Sequence, residues 1–279
     1  MICLGNVCLL RSTGSLQVIP IRTEVKSRPF DLAECVWLAL ARNRAILENG
    51  DILVVSTKFA SISEGRVKKL ADVTPTKKAL TLAKRYKIDA SLAQLVVEES
   101  DTILGGVPGF LVSITRGTLA PNAGIDRSNV PRGWAVLYPK NPELTARKLR
   151  QSLLNLAAKS NSEKISNLGV ILSDSRVTPT RLGTIGIALS TAGIRPTVDM
   201  RGETDLFGRK LKVTLRAIAD QVASTAQLVM GEAGEGVPIA LIKGVDIAFA
   251  KPKNAFEKEM VISSEKCLIL NGLRNRYDP

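Results

Sequence analysis

Three stretches of the sequence place carboxylates among small, turn-forming residues, a pattern that can bind metal ions and phosphates. Asp126 lies in APNAGIDRSNVP, downstream of an apolar run. Asp174 and Ser175 follow the apolar residues VILS, and we expect them to leave the end of a strand. Glu232 and Glu235 lie among glycines in LVMGEAGEGVP. Glycine lets backbone N–H groups approach a bound oxyanion closely, so the third stretch could cradle phosphate.

Each stretch also has an ordinary structural interpretation. Asn, Gly and Asp form surface turns, an Asp-Ser pair can cap a helix, and a glycine-rich segment can end one. The P-loop pattern G-x-x-x-x-G-K-[ST] is absent from the sequence. Together, however, three acidic loops in a basic chain favour Mg or Mn bound through oxygen to the phosphates of a nucleotide.

The composition restricts the chemistry that these residues can perform. The 279 residues include no histidine, so no imidazole serves as a base or a metal ligand. Lys and Arg number 39 against 26 Asp and Glu, a net charge of +13 that favours anionic partners such as nucleic acids or phosphorylated cofactors. The four cysteines, Cys3, Cys8, Cys35 and Cys267, show no C-x-x-C spacing, and we expect them to be reduced and packed.

The hydrophobic segments are too short for a membrane protein. No apolar run approaches the roughly 18 residues of a membrane span. The first ten residues lack the basic flank and cleavage site of a signal peptide. We therefore expect a cytoplasmic protein that does not associate with membranes.

The elements that must position the acidic loops form a mixed pattern. Short β-branched runs predict strands at 51–56, 110–115, 134–138, 168–173 and 237–244. Apolar residues at helical spacing predict helices at 141–160, with Asn141 as the N-cap, and at 211–231, ending at Gly231. Because strict βαβ alternation is missing, the sequence predicts a mixed α/β or α+β fold.

Four segments together resemble the coenzyme F420-0:γ-glutamyl ligase family over about residues 16–250: SEGRV, NAGIDRSNV, GVILSDS and DLFGRKLKVT with the following AIADQVASTAQLVMGEAGEGVP. The resemblance implies a two-lobed fold particular to the family, with an extension at 1–15, a ligase domain at 16–250 and a tail at 251–279. It also implies a homodimer that adds L-glutamate to coenzyme F420-0, using GTP, two divalent metals (Mn or Mg) and K+. The implied reaction passes through an acyl phosphate and releases GDP and phosphate, and it can extend to further γ-linked glutamates.

The resemblance also assigns positions to the ligands. Asp126 and Asp174 would bind one metal, and Ser175 and Glu232 would bind the second. The nucleotide-binding positions form four groups along the chain. They are Ile19, Pro20, Ile21 and Arg22; Thr57 and Lys58; Asn129; and Met230, Gly231, Glu232, Ala233, Gly234, Glu235, Gly236 and Val237.

The sequence departs from the family pattern in places. Ile62 stands where many members have a lysine on the nucleotide, and we expect Lys58 and Arg22 to compensate, so that Ile62→Lys tightens GTP binding only modestly. Ser175 replaces the usual threonine but keeps the hydroxyl. One alternative is an amide ligase of the same family with a different carboxylate acceptor. Another is a basic nucleic-acid-binding protein without catalysis, which the 4% aromatic content and scattered cations disfavour.

Overall fold

A computed structural model describes residues 2–4, 7–9, 15–160, 164–249 and 260–274. These residues form fourteen strands and seven helices, which confirms the mixed α/β class. The strands are β1 (Ile2–Leu4), β2 (Val7–Leu9), β3 (Gln17–Ile21), β4 (Asp51–Ser56), β5 (Val67–Lys69), β6 (Thr102–Val107), β7 (Phe110–Thr115), β8 (Thr118–Pro121), β9 (Trp134–Val136), β10 (Leu168–Val177), β11 (Thr184–Ala192), β12 (Val198–Asp199), β13 (Leu215–Arg216) and β14 (Ile239–Lys243). The helices are α1 (Leu32–Arg42), α2 (Thr57–Ser63), α3 (Lys77–Tyr86), α4 (Ala90–Glu99), α5 (Pro142–Lys159), α6 (Ile218–Met230) and α7 (Leu268–Arg274).

The chain divides into two compact units. The first comprises Met1–Arg66 and Pro139–Glu257, and the second comprises Val67–Tyr138 and Lys258–Pro279. The second unit therefore interrupts the first in sequence. The predicted boundaries at residues 15 and 250 stay predictions, and residues 1, 5, 6, 10–14, 251–259 and 275–279 of the proposed extension and tail lie outside the described residues.

A five-stranded sheet organises the first unit, in the order β11-β10-β4-β14-β3. β10 runs parallel to β4, whereas the other pairs are antiparallel. Leu168, Val170 and Leu172 of β10 are fully buried and join the core beneath α1 and α5. Because side chains alternate along a strand, Ser175 points to the other face, where α6 crosses β11.

Most of the predicted elements of this unit are confirmed. The strand at 51–56 and the helix capped by Asn141 are present, and the Asn141 side chain accepts a hydrogen bond from Leu144 N. The predicted end of β10 at Ser173 was wrong, because the strand continues to Val177. Pairing with β11 supplies backbone partners to the polar residues: Asp174 faces Ile187, and Ser175 faces Gly186.

The helix predicted at 211–231 is shorter than expected at its start. α6 begins at Ile218, since residues 211–216 belong to an exposed antiparallel pairing with residues 198–203. α6 ends at Gly231 as predicted. The strand at 237–244 is confirmed as the shorter β14.

The second unit contains a three-stranded sheet, β6-β7-β8, and a pair of helices, α3 and α4. The predicted strands at 110–115 and 134–138 are confirmed, although the latter ends at Val136. Leu95, Leu111 and Leu137 are buried in the core of this unit.

The side chains of two of the four cysteines are described. Cys35 and Cys267 are free thiols and are partly buried. The side chains of Cys3 and Cys8 lie outside the described part of the chain. None of the described helices is both long enough and apolar enough to cross a membrane.

Candidate active site

Ser175 and Glu232 are brought together by the packing of α6 against the β10–β11 hairpin. Gln227, near the end of α6, donates from Nε2 to Ser175 Oγ at 2.8 Å and also to Glu232 Oε1. Thr184 Oγ1 donates to the same Glu232 oxygen at 2.8 Å. A hydroxyl and a carboxylate separated by 57 positions in the sequence therefore converge on one amide group.

The close approach of α6 depends on a glycine and a backbone contact. Gly186 lies opposite Ser175 on β11, and a Cβ at this position would lie 2.5 Å from the carbonyl oxygen of Ala223. Ser224 Oγ donates to Gly186 O at 2.7 Å. Any larger residue at position 186 would push α6 away and separate Gln227 from Ser175.

Asp174 occupies the opposite face of β10. Successive side chains on a strand point to opposite faces, so Asp174 shares a face with Arg176 rather than with Ser175. Arg176 Nη2 lies 3.5 Å from Asp174 Oδ2, and the exposed fractions of the two side chains are 8% and 27%. Asp174 and Ser175, which are predicted to ligate different metals, therefore lie on different faces of one strand.

The glycine-rich loop after α6 lies beside the end of β3. Pairing of Ile21 with Ile239 aligns β3 with β14, and the loop precedes β14. Arg22 Nη1 donates to Glu235 O at 2.7 Å, and Thr23 N donates to Gly236 O at 3.2 Å. The structure thus joins two of the predicted nucleotide-binding segments, Ile19 to Arg22 and Met230 to Val237.

Glu235 folds back onto its own loop. Its Oε2 accepts a hydrogen bond from Ala233 N at 2.8 Å. Hydrogen bonds from its own backbone N–H and from that of Ala233 hold the pKa of Glu235 below its usual value. The Glu235 carboxylate therefore acts within the loop, where its charge orders the backbone.

Thr57 and Lys58 begin α2 directly after β4, at the edge where the parallel strands β4 and β10 pair Ser56 with Ser173. Thr57 Oγ1 donates to Ser173 O at 2.8 Å, and Ser56 N donates to Pro238 O at 2.8 Å. Ligands of α/β proteins commonly bind at the carboxyl ends of parallel strands. Thr57 is 2% exposed, so its hydroxyl helps to hold this edge together.

Asp126 and Asn129 belong to the second unit and are described within it. Asp126 is paired with Val136 through two backbone bonds, and its carboxylate accepts bonds from Ser128 N at 2.7 Å and Ser128 Oγ at 3.0 Å. Asn129 has a left-handed backbone, with φ of 54°. Asn122 is structural, since its buried Oδ1 accepts from Leu111 N.

The sequence interpretation missed two polar residues of the site, Gln227 and Thr184. Gln227 lies in a helix whose apolar spacing says nothing about a polar contact, and Thr184 lies in a turn-rich segment. Their partners are 52 and 48 positions away, so no local pattern could identify them. Ile62, where the family pattern has lysine, is 5% exposed and therefore buried in this chain.

The oxygen atoms at Ser175 and Glu232 fit a hard divalent cation. Mg and Mn prefer carboxylate, hydroxyl and phosphate oxygens, and both side-chain oxygens lie within hydrogen-bond range of a single nitrogen. Among the described residues, no three Asp, Glu, Cys or His side chains converge. The oxygens available here within the first unit are therefore one carboxylate and the neighbouring hydroxyls.

Comparison with known proteins identifies the family. The family model described as F420-0:Gamma-glutamyl ligase matches residues 20–244. A Coenzyme F420:L-glutamate ligase of Methanopyrus kandleri is 36% identical over 233 residues, which cover 83% of this chain and 88% of the relative. Proteins of the same description from Archaeoglobus fulgidus and Methanocaldococcus jannaschii are 38% and 39% identical over 78% and 74% of this chain and 83% and 80% of the relatives. The chain is thus a ligase that belongs to the F420-0:gamma-glutamyl ligase family.

Proposed function

We propose that the protein joins L-glutamate to coenzyme F420-0 in a reaction driven by GTP. The observation that carries this proposal is the convergence of Ser175 and Glu232 beside the glycine-rich loop. The names of the relatives supply the substrate class. The proposal includes two divalent metals, a potassium ion, a homodimer and a cytoplasmic location.

The phosphates of the nucleotide would lie along the loop of residues 230–237. Arg22 fixes this loop through the carbonyl of Glu235, and the folded carboxylate of Glu235 fixes Ala233. A loop ordered before binding loses less conformational entropy when the ligand arrives. Gly231 and Gly236, with φ of 73° and 69°, give the loop a backbone shape that other residues rarely adopt.

Ser175 and Glu232 would hold one divalent ion, and Asp174 with Asp126 would hold the other. The ions would stabilise the negative charge that develops on the phosphoryl oxygens during the transfer. Gln227 and Thr184 both donate to the Glu232 carboxylate, and Gln227 also donates to Ser175 Oγ. The protein contributes mainly position and electrostatics, as is typical of phosphoryl transfer.

All bonds that form or break in the proposed reaction lie in the substrates. A carboxylate oxygen of the acceptor attacks the γ-phosphorus of GTP, and the bond to the β-phosphate oxygen breaks, giving an acyl phosphate and GDP. The amine of L-glutamate then attacks the acyl carbon, and phosphate leaves with the bonding electron pair. Since the chain has no histidine, the amine arrives neutral or passes its proton to a carboxylate.

A ligase of the same family with a different carboxylate acceptor is the second candidate. The buried Ile62 favours it, because an apolar side chain stands where many members of the family have a lysine on the nucleotide. The metal residues are retained in both candidates. The two functions differ only in which carboxylate becomes the acyl phosphate.

The test is a product assay with purified protein, GTP, Mn²⁺, L-glutamate and the non-glutamylated cofactor. We expect a product heavier by one or more glutamate residues, together with GDP and phosphate in equal amounts to the bonds formed. Glu232→Gln should abolish the product, whereas Glu143→Gln, an exchange at a partly exposed acidic position in the first turn of α5, should leave it unchanged. GDP release that depends on another carboxylate, with no glutamylated cofactor, would establish the second candidate instead.

A further inference from the structure

A cleft of the first unit, here called the α1 cleft, lies between residues 22–31 and one face of helix α1. Its volume is about 490 Å³, within the range of sites that hold small molecules. The helix contributes positions 34, 35, 38, 39 and 42, which share a face at helical spacing. The apolar part of the lining comprises Phe30, Cys35, Leu38 and Ala39. Arg22 is the one lining residue among the described positions assigned to the nucleotide or the metals.

The two walls of the α1 cleft are joined before any ligand arrives. Arg22 N donates to Asn43 Oδ1 at 3.2 Å, and Asn43 Nδ2 donates to Arg22 O at 2.9 Å and to Ala39 O at 2.8 Å. At the start of the helix, Asp31 Oδ1 accepts from Glu34 N at 2.9 Å. A cleft with walls fixed in this way loses little conformational entropy when a ligand enters.

The charges that line the α1 cleft are of both signs and equal in number. They are Arg22, Lys26 and Arg42 against Glu24, Asp31 and Glu34. The whole chain, in contrast, has a net charge of +13. A site for a polyanion such as a nucleoside triphosphate needs an excess of cations. The α1 cleft is suited instead to a small ligand that itself carries charges of both signs.

Glu24 bridges two cations of the α1 cleft. Its Oε1 accepts from Arg42 Nη1 at 2.7 Å, and its Oε2 accepts from Lys26 Nζ at 3.2 Å. The bonds from Lys26 and Arg42 hold the pKa of Glu24 below its usual value, so the carboxylate is ionised at neutral pH. Both cations have more N–H groups than these contacts use, and the carboxylate has further lone pairs. The three side chains therefore offer donors to a carboxylate and an acceptor to an ammonium group.

The aromatic ring of the α1 cleft is a poor platform for a flat ligand. Phe30 packs against Phe59 with ring centroids 4.9 Å apart and planes tilted by 50°. Lys26 Nζ lies over the Phe30 ring, 6.0 Å from its centroid. A nucleobase that stacked on Phe30 would have to displace this ammonium. The apolar lining is better suited to short methylene groups.

Arg22 and Thr23 connect the α1 cleft with the glycine-rich loop. Arg22 Nη1 donates to Glu235 O at 2.7 Å, and Thr23 N donates to Gly236 O at 3.2 Å. Both residues also line the cleft. A ligand in the cleft therefore lies beside residues that contact the loop proposed to hold the phosphates, which is where an amine that attacks an acyl phosphate has to arrive.

We propose that the α1 cleft binds a free amino acid with a carboxylate in its side chain. Its two carboxylates bind Lys26 and Arg42, and its ammonium group binds Glu24. Its methylene groups pack against Cys35 and Leu38. The inference rests on the proposed function for the identity of this amino acid, the L-glutamate that the reaction consumes, but not for the chemistry of the cleft.

The thiol of Cys35 provides a readout of binding, because it lines the cleft and is partly buried. The rate at which N-ethylmaleimide modifies Cys35 is measured by peptide mass spectrometry, with and without L-glutamate, in the absence and in the presence of GDP and Mn²⁺. Cys267, in the second unit, is the internal reference and should react at an unchanged rate. At about ten times its dissociation constant, L-glutamate should slow the modification of Cys35 about tenfold. Succinate, which has two carboxylates but no ammonium group, should protect only weakly.

Variants separate the two kinds of contact. Arg42→Gln should raise the dissociation constant of L-glutamate about tenfold, because it removes a charge-assisted hydrogen bond. Arg44→Gln, at an exposed arginine outside the lining of the cleft, is the matched control and should bind like the wild type. Glu24→Gln should weaken L-glutamate by a similar factor without weakening succinate, because only the amino acid has an ammonium group. Circular dichroism and the rate at Cys267 show whether each variant is folded.

The proposal is overturned if L-glutamate leaves the rate at Cys35 unchanged, both with and without GDP and Mn²⁺. Equal protection by succinate would show a general effect of anions, and protection by GTP without L-glutamate would place the nucleotide in the cleft; either result contradicts the proposal. The assay requires neither turnover nor the acceptor. Protection of Cys35 without any glutamylated product would refute the proposed reaction and keep the amino-acid site, whereas product formation without protection would do the reverse.

Discussion

The carboxylate of Glu232 accepts hydrogen bonds from two neutral donors. Gln227 and Thr184 both donate to its Oε1, and Gln227 also donates to Ser175 Oγ. Residues that orient a metal ligand commonly influence affinity by about 10- to 100-fold. The role of Thr184 can therefore be separated from that of the ligand itself.

Thr184→Val should lower the affinity for Mn²⁺ by about tenfold, because it removes the hydroxyl donor while keeping the shape of the side chain. Calorimetric titration with Mn²⁺ in the presence of GTP measures the change. Thr184→Ser keeps the donor and should titrate like the wild type. If Val and Ser variants titrate alike, the hydroxyl has no part in orienting Glu232.

Ile62→Lys introduces the residue that many family members have at this position and tests whether the buried site accepts a lysine. Ile62 is 5% exposed, so a lysine here has to bury part of a charged side chain before it can reach a nucleotide. We expect the free energy of unfolding to fall by more than about 2 kcal/mol, whereas Ile62→Met should cost less than about 1.5 kcal/mol. Denaturant unfolding provides both values, and equal stability of the Lys and Met variants would show that the position opens to solvent.

At the scale of elements, two close approaches decide where the polar groups lie. α6 can cross β11 closely only because position 186 is glycine, and the turn before Asp126 can form only because position 124 is glycine. Gly124 has φ of 73°, and a Cβ there would overlap the ring of Tyr138, which is 3% exposed. Both glycines are therefore packing requirements as well as backbone requirements.

Gly124→Ala should lower the free energy of unfolding by more than about 3 kcal/mol, because overpacking against Tyr138 adds to the strain of a left-handed alanine. Gly133→Ala is the matched control. Gly133 has φ of 83° but nothing lies within 4 Å of its Cβ position, so it should show only the backbone cost of about 1–2 kcal/mol. Equal losses in urea unfolding would mean that Tyr138 moves aside freely.

The contact between α6 and β11 also predicts a pH dependence. Asp220 Oδ1 accepts from Ala188 N at 2.9 Å, and burial raises the pKa of Asp220, although the Ala188 amide and Arg176 oppose the shift. A carboxyl with a raised native pKa holds its proton more tightly when folded than when unfolded. The stability that this bound proton contributes is therefore lost as the pH rises from the ordinary pKa of an aspartate through the higher native pKa.

Asp220→Asn keeps the acceptor for Ala188 but cannot ionise. We expect the variant to gain stability relative to the wild type as the pH rises from about 4 towards 7. Unfolding curves at several pH values measure this difference. Asp246→Asn, at an exposed position, should follow the wild type at each pH, and a constant difference for Asp220→Asn would contradict the burial effect.

At the scale of the whole molecule, the net charge of +13 favours anionic ligands in general. The description of the matching family names F420-0 among such ligands, and the proposed function adds a nucleotide. Two units share the chain, and the candidate metal residues are divided between them, with Asp126 in the second and Asp174, Ser175 and Glu232 in the first.

Titration of a generic single-stranded RNA tests the alternative without catalysis. We expect only non-specific binding, with a dissociation constant above about 1 µM at physiological salt and a steep loss of affinity as salt increases. Fluorescence anisotropy measures both quantities. Tight binding that persists at high salt would favour a nucleic-acid-binding protein, because phosphate contacts alone are released by salt.

The sequence by itself determined the mixed fold, the capped helix α5, most core strands and the family. These features depend on local patterns: β-branched runs, an Asn-Pro start and ordered motifs that need no knowledge of distant neighbours. Only the tertiary structure decided that β10 continues through Asp174 and Ser175, since β11 supplies the backbone partners. It also decided that Gln227 joins Ser175 to Glu232, that Ile62 is buried and that residues 198–216 form a separate, largely exposed antiparallel pairing. Each of these depends on contacts between segments far apart in the chain, and such contacts leave no periodic signal in the sequence.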